Sequence, residues 1–218
     1  GGYTHFDMMD SESTYMNSVL CSAPESRDIY IGTDWGKIFC IKGRDREIDV
    51  VYAFPEGTRI AAARFIGDRL WVLSETKGLF VLNVREKRIE KRYDFLLQEA
   101  ENKVPAKCFY VDNQSRIWIG TQQGLYLFDP EREVHRLFTR DVKEPFSIVN
   151  NSVWTIAGDE QGNLWIGTYS GGISYLALNE TTGFDTQRLD QYGFTPRPIS
   201  AFVRQGDRLW MGTEGGGL

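Results

Sequence analysis

The residues that could do chemistry are few and scattered. Asp94, Glu99 and Glu101 stand close in sequence. Cleaving a glycosidic bond needs two carboxylates at a fixed separation, and the segment 96–105 reads as an exposed loop with nothing to fix one. The two histidines, His5 and His135, each stand alone in a strand-like segment, so no pair has metal-ligand spacing. Asp112 and Asp159 both lie six residues before an aromatic, at the start of a turn. A calcium loop would need a bidentate glutamate that is missing, and an Asx-type turn accounts for both. There is no G-x-S-x-G elbow and no G-x-x-x-x-G-K-[ST] phosphate loop. Cys21, Cys40 and Cys108 form no C-x-x-C pair and sit in apolar or mixed segments, as small core residues do. The sequence implies neither a metal nor a cofactor.

Recognition is better served than catalysis. Trp35, Gln122, Gln123 and Tyr169 combine rings that can stack on the apolar face of a sugar with amides that bond hydroxyls. Glu75-Thr76-Lys77 and Glu214 occupy corresponding positions. For Trp35 and Tyr169 the competing reading is packing against neighbouring loops.

What must position these residues is a repeat. An aliphatic, an aromatic and a second aliphatic residue are followed in four of five copies by Gly-Thr. The copies are Ile29-Tyr30-Ile31-Gly32-Thr33, Leu70-Trp71-Val72-Leu73-Ser74, Ile117-Trp118-Ile119-Gly120-Thr121, Leu164-Trp165-Ile166-Gly167-Thr168 and Leu209-Trp210-Met211-Gly212-Thr213. The aromatics are 41, 47, 47 and 45 residues apart, a propeller-blade or helical-pair period. The β-branched and aromatic residues, bounded by Gly, Asn and Asp, decide for strands. In the fourth copy 152–157 reads as a first strand, 164–168 as a second, 173–178 as a third and 186–192 as a polar fourth. Four antiparallel strands in about 45 residues make one propeller blade.

The expected fold is therefore an all-β propeller of four-stranded antiparallel blades. Blades fall at about 17–54, 59–95, 106–139 and 152–192, with a partial fifth at 199–218 and a leading strand at 3–8. Segment 3–8 could close onto the fifth blade and make a small ring. The stop inside a motif favours instead an excerpt of a larger propeller. Tyr30, Trp71, Trp118, Trp165 and Trp210 are expected to be structural, each filling the wedge between blades. The adjoining glycine should leave room for the next sheet, and the threonine hydroxyl should bond the following turn. The charged tract 85–92 reads as an outer edge strand guarded by charge rather than a docking patch.

Composition agrees. Of 218 residues, 41% are hydrophobic and 25% charged, enough for a core and too apolar for disorder. The net charge of -5 argues against a nucleic-acid partner. No apolar run is long enough to span a membrane, and the polar start Gly1-Gly2-Tyr3-Thr4-His5 does not read as a signal peptide.

Residues 159–173, Asp-Glu-Gln-Gly-Asn-Leu-Trp-Ile-Gly-Thr-Tyr-Ser-Gly-Gly-Ile, resemble the two-component-regulator propeller repeat, roughly D-x-x-G-x-L-W-I-G-T-x-x-G-G-L. The upstream N-S-V of that repeat stands here as Asn151-Ser152-Val153. The third copy is a good match; the first two depart, with Tyr30 for Trp and Leu73-Ser74 for Gly-Thr. The resemblance implies a periplasmic sensor region of a Bacteroides-type hybrid two-component system, responding to an oligosaccharide and coupled to a membrane-linked histidine kinase outside this chain. It implies as partners the remaining blades, the downstream signalling domains and a possible homodimer. Two alternatives stay open: a structural or dimerisation scaffold that meets no ligand, and a propeller hydrolase or lyase.

Overall fold

The structure, a computed structural model, describes residues 18–24, 26–98, 105–170, 172–178, 183–193, 197–206 and 208–215. The leading strand expected at 3–8, His5, and the carboxylates Glu99 and Glu101 lie outside the described residues. Four sheets have four antiparallel strands each. Blade one comprises β1 (Ser18–Ser22), β2 (Ile29–Thr33), β3 (Lys37–Ile41) and β4 (Ile48–Ala53). Blade two comprises β5 (Ile60–Ile66), β6 (Arg69–Ser74), β7 (Gly78–Asn83) and β8 (Arg88–Tyr93), followed by a single helical turn, α1 (Phe95–Gln98). Blade three holds β9 (Ala106–Val111), β10 (Ile117–Thr121), β11 (Leu125–Asp129) and β12 (Val134–Phe138). Blade four holds β13 (Val153–Gly158), β14 (Leu164–Thr168), β15 (Gly172–Leu176) and β16 (Phe184–Arg188). In blade five, β17 (Ile199–Gln205) pairs with β18 (Arg208–Thr213). Successive first strands touch one another, β1 with β5, β5 with β9, β9 with β13 and β13 with β17, so the first strands lie innermost. The fold is a β-propeller.

The period of two in each second strand explains how the blades stack. In β6, Leu70 and Val72 enter the core shared with blade one, whereas Trp71 and Leu73 enter the core shared with blade three. In β10, Ile117 and Ile119 point back to blade two and Trp118 forward to blade four. The repeat aromatic thus always faces the next blade. Tyr30, Trp71 and Trp118 are buried there, each contributing roughly 1.5–3 kcal/mol. Trp165, facing two-stranded blade five, is only half-buried, and Trp210 is 41% exposed. Its place in the repeat is the structural one, but no following sheet covers it among the described residues.

The glycine two residues further faces the same way. A Cβ on Gly32 would lie 2.8 Å from Ile60 Cγ2, one on Gly120 2.7 Å from Val153 Cγ1, and one on Gly167 2.7 Å from Ile199 Cγ2. Each glycine therefore seats the first aliphatic residue of the next blade. Blade two has Leu73 at this position, and blade three answers with Ala106, 1% exposed, where its counterparts have Ile or Val. Large and small have traded sides of the seam.

Threonine behaves as expected. Thr33 Oγ1 donates to Lys37 O, Thr121 Oγ1 to Gly124 O and Thr168 Oγ1 to Gly172 O. Ser74, the exception, is buried with its Oγ unpaired among the described residues.

Two segments differ from expectation. The exposed loop expected at 96–105 opens inside a helical turn with Leu96 buried, and Phe95, expected to end the fourth strand, starts that turn instead, buried and stacked on Phe128 and on His135, both 4.7 Å between ring centroids. The apolar ring supplies what the polar neighbours hid. The fourth strand of blade four starts at Phe184, buried against Phe138, and ends at Arg188; Leu189–Tyr192 is a 3-10 turn. Cys40 is buried, and Cys21 and Cys108 are partly buried, packed against the cores between blades. The charged β8 is the outer strand of its sheet, and lysines there also clasp neighbours: Lys87, in the turn just before it, pairs with Asp49 of blade one (2.8 Å) and Lys91, within it, with Glu133 of blade three.

Candidate functional site

One face of the propeller gathers the turns between second and third strands together with the crossovers between blades. The same peptide hydrogen bond recurs there in four blades. The residue after the repeat's Thr or Ser donates its N–H to the residue preceding its own first strand: Glu75 to Arg59 O, Gln122 to Pro105 O, Tyr169 to Ser152 O and Glu214 to Pro198 O, at 2.9–3.1 Å. This link fixes the turn residue beside the start of the innermost strand.

A second device acts next to it. The first strands of blades two to five each carry one extra residue against the second strand: Ala61, Lys107, Trp154 and Ser200. Blade one keeps regular register there. A β-bulge breaks the alternation locally and re-aims a side chain. The bulge residues and turn residues together make a two-position row around the inner edge of this face.

In blades two to four that row forms a connected cluster. Glu75 lies 3.7 Å from both Arg59 Nη1 and Lys107 Nζ. Lys107 Nζ stands 5.8 Å from the ring centroid of Trp154, within cation–π range. Trp154 and Tyr169 rings are 5.4 Å apart and tilted by 41°. Trp154 Nε1 donates to Ser152 Oγ at 3.1 Å, which fixes the indole. The partly exposed ion pairs hold geometry more than they stabilise the fold, about 0–1 kcal/mol each.

The structure places the four candidate residues unequally. Tyr169 is 52% exposed, packed on Trp154 yet open to solvent. Gln122 and Gln123 are exposed on the corresponding turn of blade three, where Gln123 N–H donates to Thr121 Oγ1. These three share the face on adjacent blades. Trp35, on blade one, is half-buried, with its indole nitrogen enclosed and no acceptor among the described residues. Lys107 and Trp154 escaped the sequence reading because strict alternation was assumed for the first strands. A signal was available: between Ile60/Ala62, Ala106/Cys108, Val153/Thr155 and Ile199/Ala201, one position changes character from Ala to Lys to Trp to Ser while its flanks stay small or aliphatic.

The chemistry on offer is binding. Asp112 and Asp159 are spent on their turns. Asp112 Oδ1 accepts from Gln114 N and Arg116 N, and its Oδ2 from Arg116 Nε and from the repeat indole Trp118 Nε1 (2.9 Å). Asp159 Oδ1 accepts from Asn163 N. Burial pushes the thiol of Cys108 up to about 12 and that of Cys21 to about 11, so neither is a ready nucleophile near neutral pH. Among the described residues no group of three or more His, Cys, Asp or Glu side chains is arranged to hold a metal, and no helix is long and apolar enough to cross a membrane.

The strands define a propeller of short repeated blades. Residues 147–170 match the profile of the two component regulator propeller. A relative from Formosa agariphila, "Histidine kinase P4", is 25% identical over 189 residues, covering 81% of this chain but 13% of its own length. The extracellular domain of the hybrid two component system BT3049 from B. thetaiotaomicron superposes with a TM-score of 0.57 at 16% identity, covering 97% of this chain and 34% of that one. A catalytically inactive virginiamycin B lyase from Staphylococcus aureus, solved with quinupristin, gives 0.66 at 13% identity, covering 90% and 63%. At these identities the structural likenesses speak for the fold. The chain spans about an eighth of the length of the kinase it matches.

Proposed function

We propose that this chain is part of the extracytoplasmic, periplasmic sensor region of a hybrid histidine kinase, where it meets a carbohydrate signal and passes the binding event to kinase and receiver modules elsewhere in the protein. Its partners on this reading are an oligosaccharide, further blades, the downstream signalling domains and a second copy in a dimer, with no nucleic acid and no membrane contact of its own. The chain itself is not an enzyme on this reading. The observation that carries it is the Trp154–Tyr169 ring pair, half-open on the turn face of a regulator-type propeller and joined through Lys107 to Glu75, with Gln122 on the corresponding turn of the adjacent blade. Rings of this kind stack on sugar faces, and the surrounding amide, ammonium and carboxylate suit hydroxyls. The test is calorimetric titration of the chain with purified oligosaccharides, alongside turnover assays on the same panel. Saturable binding without turnover supports the reading; turnover would replace it with a propeller hydrolase or lyase.

A scaffold reading has its own support. Leu20 on blade one, and Val203 and Trp210 on blade five, are large apolar side chains left exposed, as expected of surfaces that meet other protein. Absence of saccharide binding, with concentration-dependent association in sedimentation, would favour it.

A further inference from the structure

The ring pair is the inner end of a longer feature. The crossover from blade three to blade four, residues 139–152, does not lie flat. Asp141 Oδ1 accepts from Lys143 N, Ser147 Oγ accepts from Asp141 N and donates to Asp141 O, and Asn151 Oδ1 accepts from Arg140 N. Val149 N donates to Ser174 Oγ at 2.9 Å, which pins the loop to blade four. The loop therefore stands as a wall beside the top of blade four. Between them is a cavity of about 310 Å³, lined by Arg140, Glu144, Asn150, Ser170, Arg188 and Gln191 among others. That is the lower end of the ~300–1,000 Å³ range of small-molecule sites. Ser170, which lines the cavity, is the chain neighbour of Tyr169, so the cavity and the ring pair meet at one turn of blade four.

We propose that the top of blade four is one radial binding groove for an uncharged oligosaccharide of at least two units, one sugar on Trp154 and Tyr169 and the next in the cavity at Ser170. This rests on the carbohydrate reading above and adds where the ligand lies, how long it is and what charge it has. Length follows from two adjoining subsites, a stacking platform inside and a polar pocket outside. The absence of an ionised acid follows from the lining. Arg140 and Arg188 face Asp141 and Glu144, and Asp190 pairs with Arg188 at 2.7 Å, so no excess of positive charge is left to draw a carboxylate-bearing sugar. The Arg140 guanidinium has no ion-pair partner among the described residues and is free to donate to hydroxyls. The wall is held by its own hydrogen bonds before ligand arrives, which lowers the cost of ordering on binding.

The test is calorimetry of the full chain with neutral disaccharides to tetrasaccharides, their constituent monosaccharides and matched uronate-containing oligosaccharides. For a neutral oligosaccharide that binds, the monosaccharide should bind at least tenfold more weakly, and so should the uronate counterpart. Tyr169→Ala and Arg140→Ala should each weaken binding about tenfold with an unchanged melting temperature. Arg204→Ala, whose side chain pairs with Glu160 at the opposite face, should leave affinity unchanged. Oligosaccharide binding that is indifferent to Tyr169→Ala and Arg140→Ala, or equal for monosaccharide and disaccharide, overturns the groove while leaving the carbohydrate reading intact. No binding to any saccharide overturns both.

Discussion

At the seam between blades two and three, Leu73 stands where Ala106 begins the next blade; between blades four and five, Gly167 meets Ile199. Both seams use the same two positions, reached by the same strand period. One puts its volume on the second strand of the leading blade and the other on the first strand of the following blade. What the repeat specifies at this point is the sum of two side chains from different copies. A departure that looks like decay within one copy is therefore complete once the next copy is read with it. The two seams also differ in what surrounds the pair. The first has α1 over it, with Phe95 against Phe128, whereas the second lies under a two-stranded blade that leaves Trp165 half-buried.

The most severe way to break this comparison is to impose the common pattern on blade two alone. Leu73→Gly removes a side chain buried to 0% exposure opposite an alanine that cannot fill the space. The expected loss is about 3–5 kcal/mol, from the cavity together with glycine's backbone entropy. Adding Ala106→Ile should recover a substantial part of it. Urea denaturation of both single variants and the double variant measures the coupling. Strictly additive effects would mean that the two positions do not share one volume.

The turns that lead into the second strands differ in the same instructive way. In blade three the Asp112 side chain is fully buried and holds both its own turn and the indole of Trp118, while Asp159 of blade four holds its turn and the Asn163 side chain. Asp112→Ala strands a buried indole N–H and unpairs Arg116, for about 3 kcal/mol; Asp159→Ala should cost about 1 kcal/mol. Equal losses in the two blades would show that the Trp118 bond adds nothing.

A third pair of substitutions separates a covered seam from an open one. A methyl on Gly120 would stand 2.7 Å from both Cys108 Sγ and Val153 Cγ1, whereas on Gly212 the nearest atom is 3.7 Å away. Gly120→Ala should cost about 2 kcal/mol by overpacking, and Gly212→Ala should fall within about 0.5 kcal/mol of the starting stability. A comparable loss at both positions would mean that backbone conformation, and not the neighbouring blade, demands glycine there.

Much of this architecture was legible in the sequence because a propeller repeats its information. Five copies of one strand fixed period, strand type and the place of each aromatic between blades, and the Gly-Thr pair gave both the seam and the turn bond. The Leu73–Ala106 exchange was invisible because each copy was read alone. Of the candidate site, Gln122, Gln123 and Tyr169 were reachable from turn position. Lys107 and Trp154 were not, since a bulge shifts the register by one residue and alternation cannot report which side chain it releases. The wall at 139–152 was equally hidden: its shape comes from hydrogen bonds such as Val149 N to Ser174 Oγ, between residues far apart in sequence.

The smallest expected effect concerns the turn in which blade three departs from blade four. Both turns run from an aspartate to the residue before the second strand, and the fourth residue adopts a left-handed backbone in each: Gly162 at φ 83° and Ser115 at φ 60°. A side chain there costs roughly 1–2 kcal/mol in the folded state, and replacing it with glycine returns part of that as added freedom of the unfolded chain, about 0.4–1 kcal/mol. Ser115→Gly should therefore stabilise the protein by about 0.5–1 kcal/mol in urea denaturation. The reverse change, Gly162→Ser, should cost more than this gain, because its Cβ would also stand 2.6 Å from Asn113 Nδ2 of the blade-three turn, which must move aside. If Ser115→Gly were neutral while Gly162→Ser was costly, the contact with Asn113 would account for the glycine in blade four, and the two turns would differ by their neighbours instead of by backbone strain.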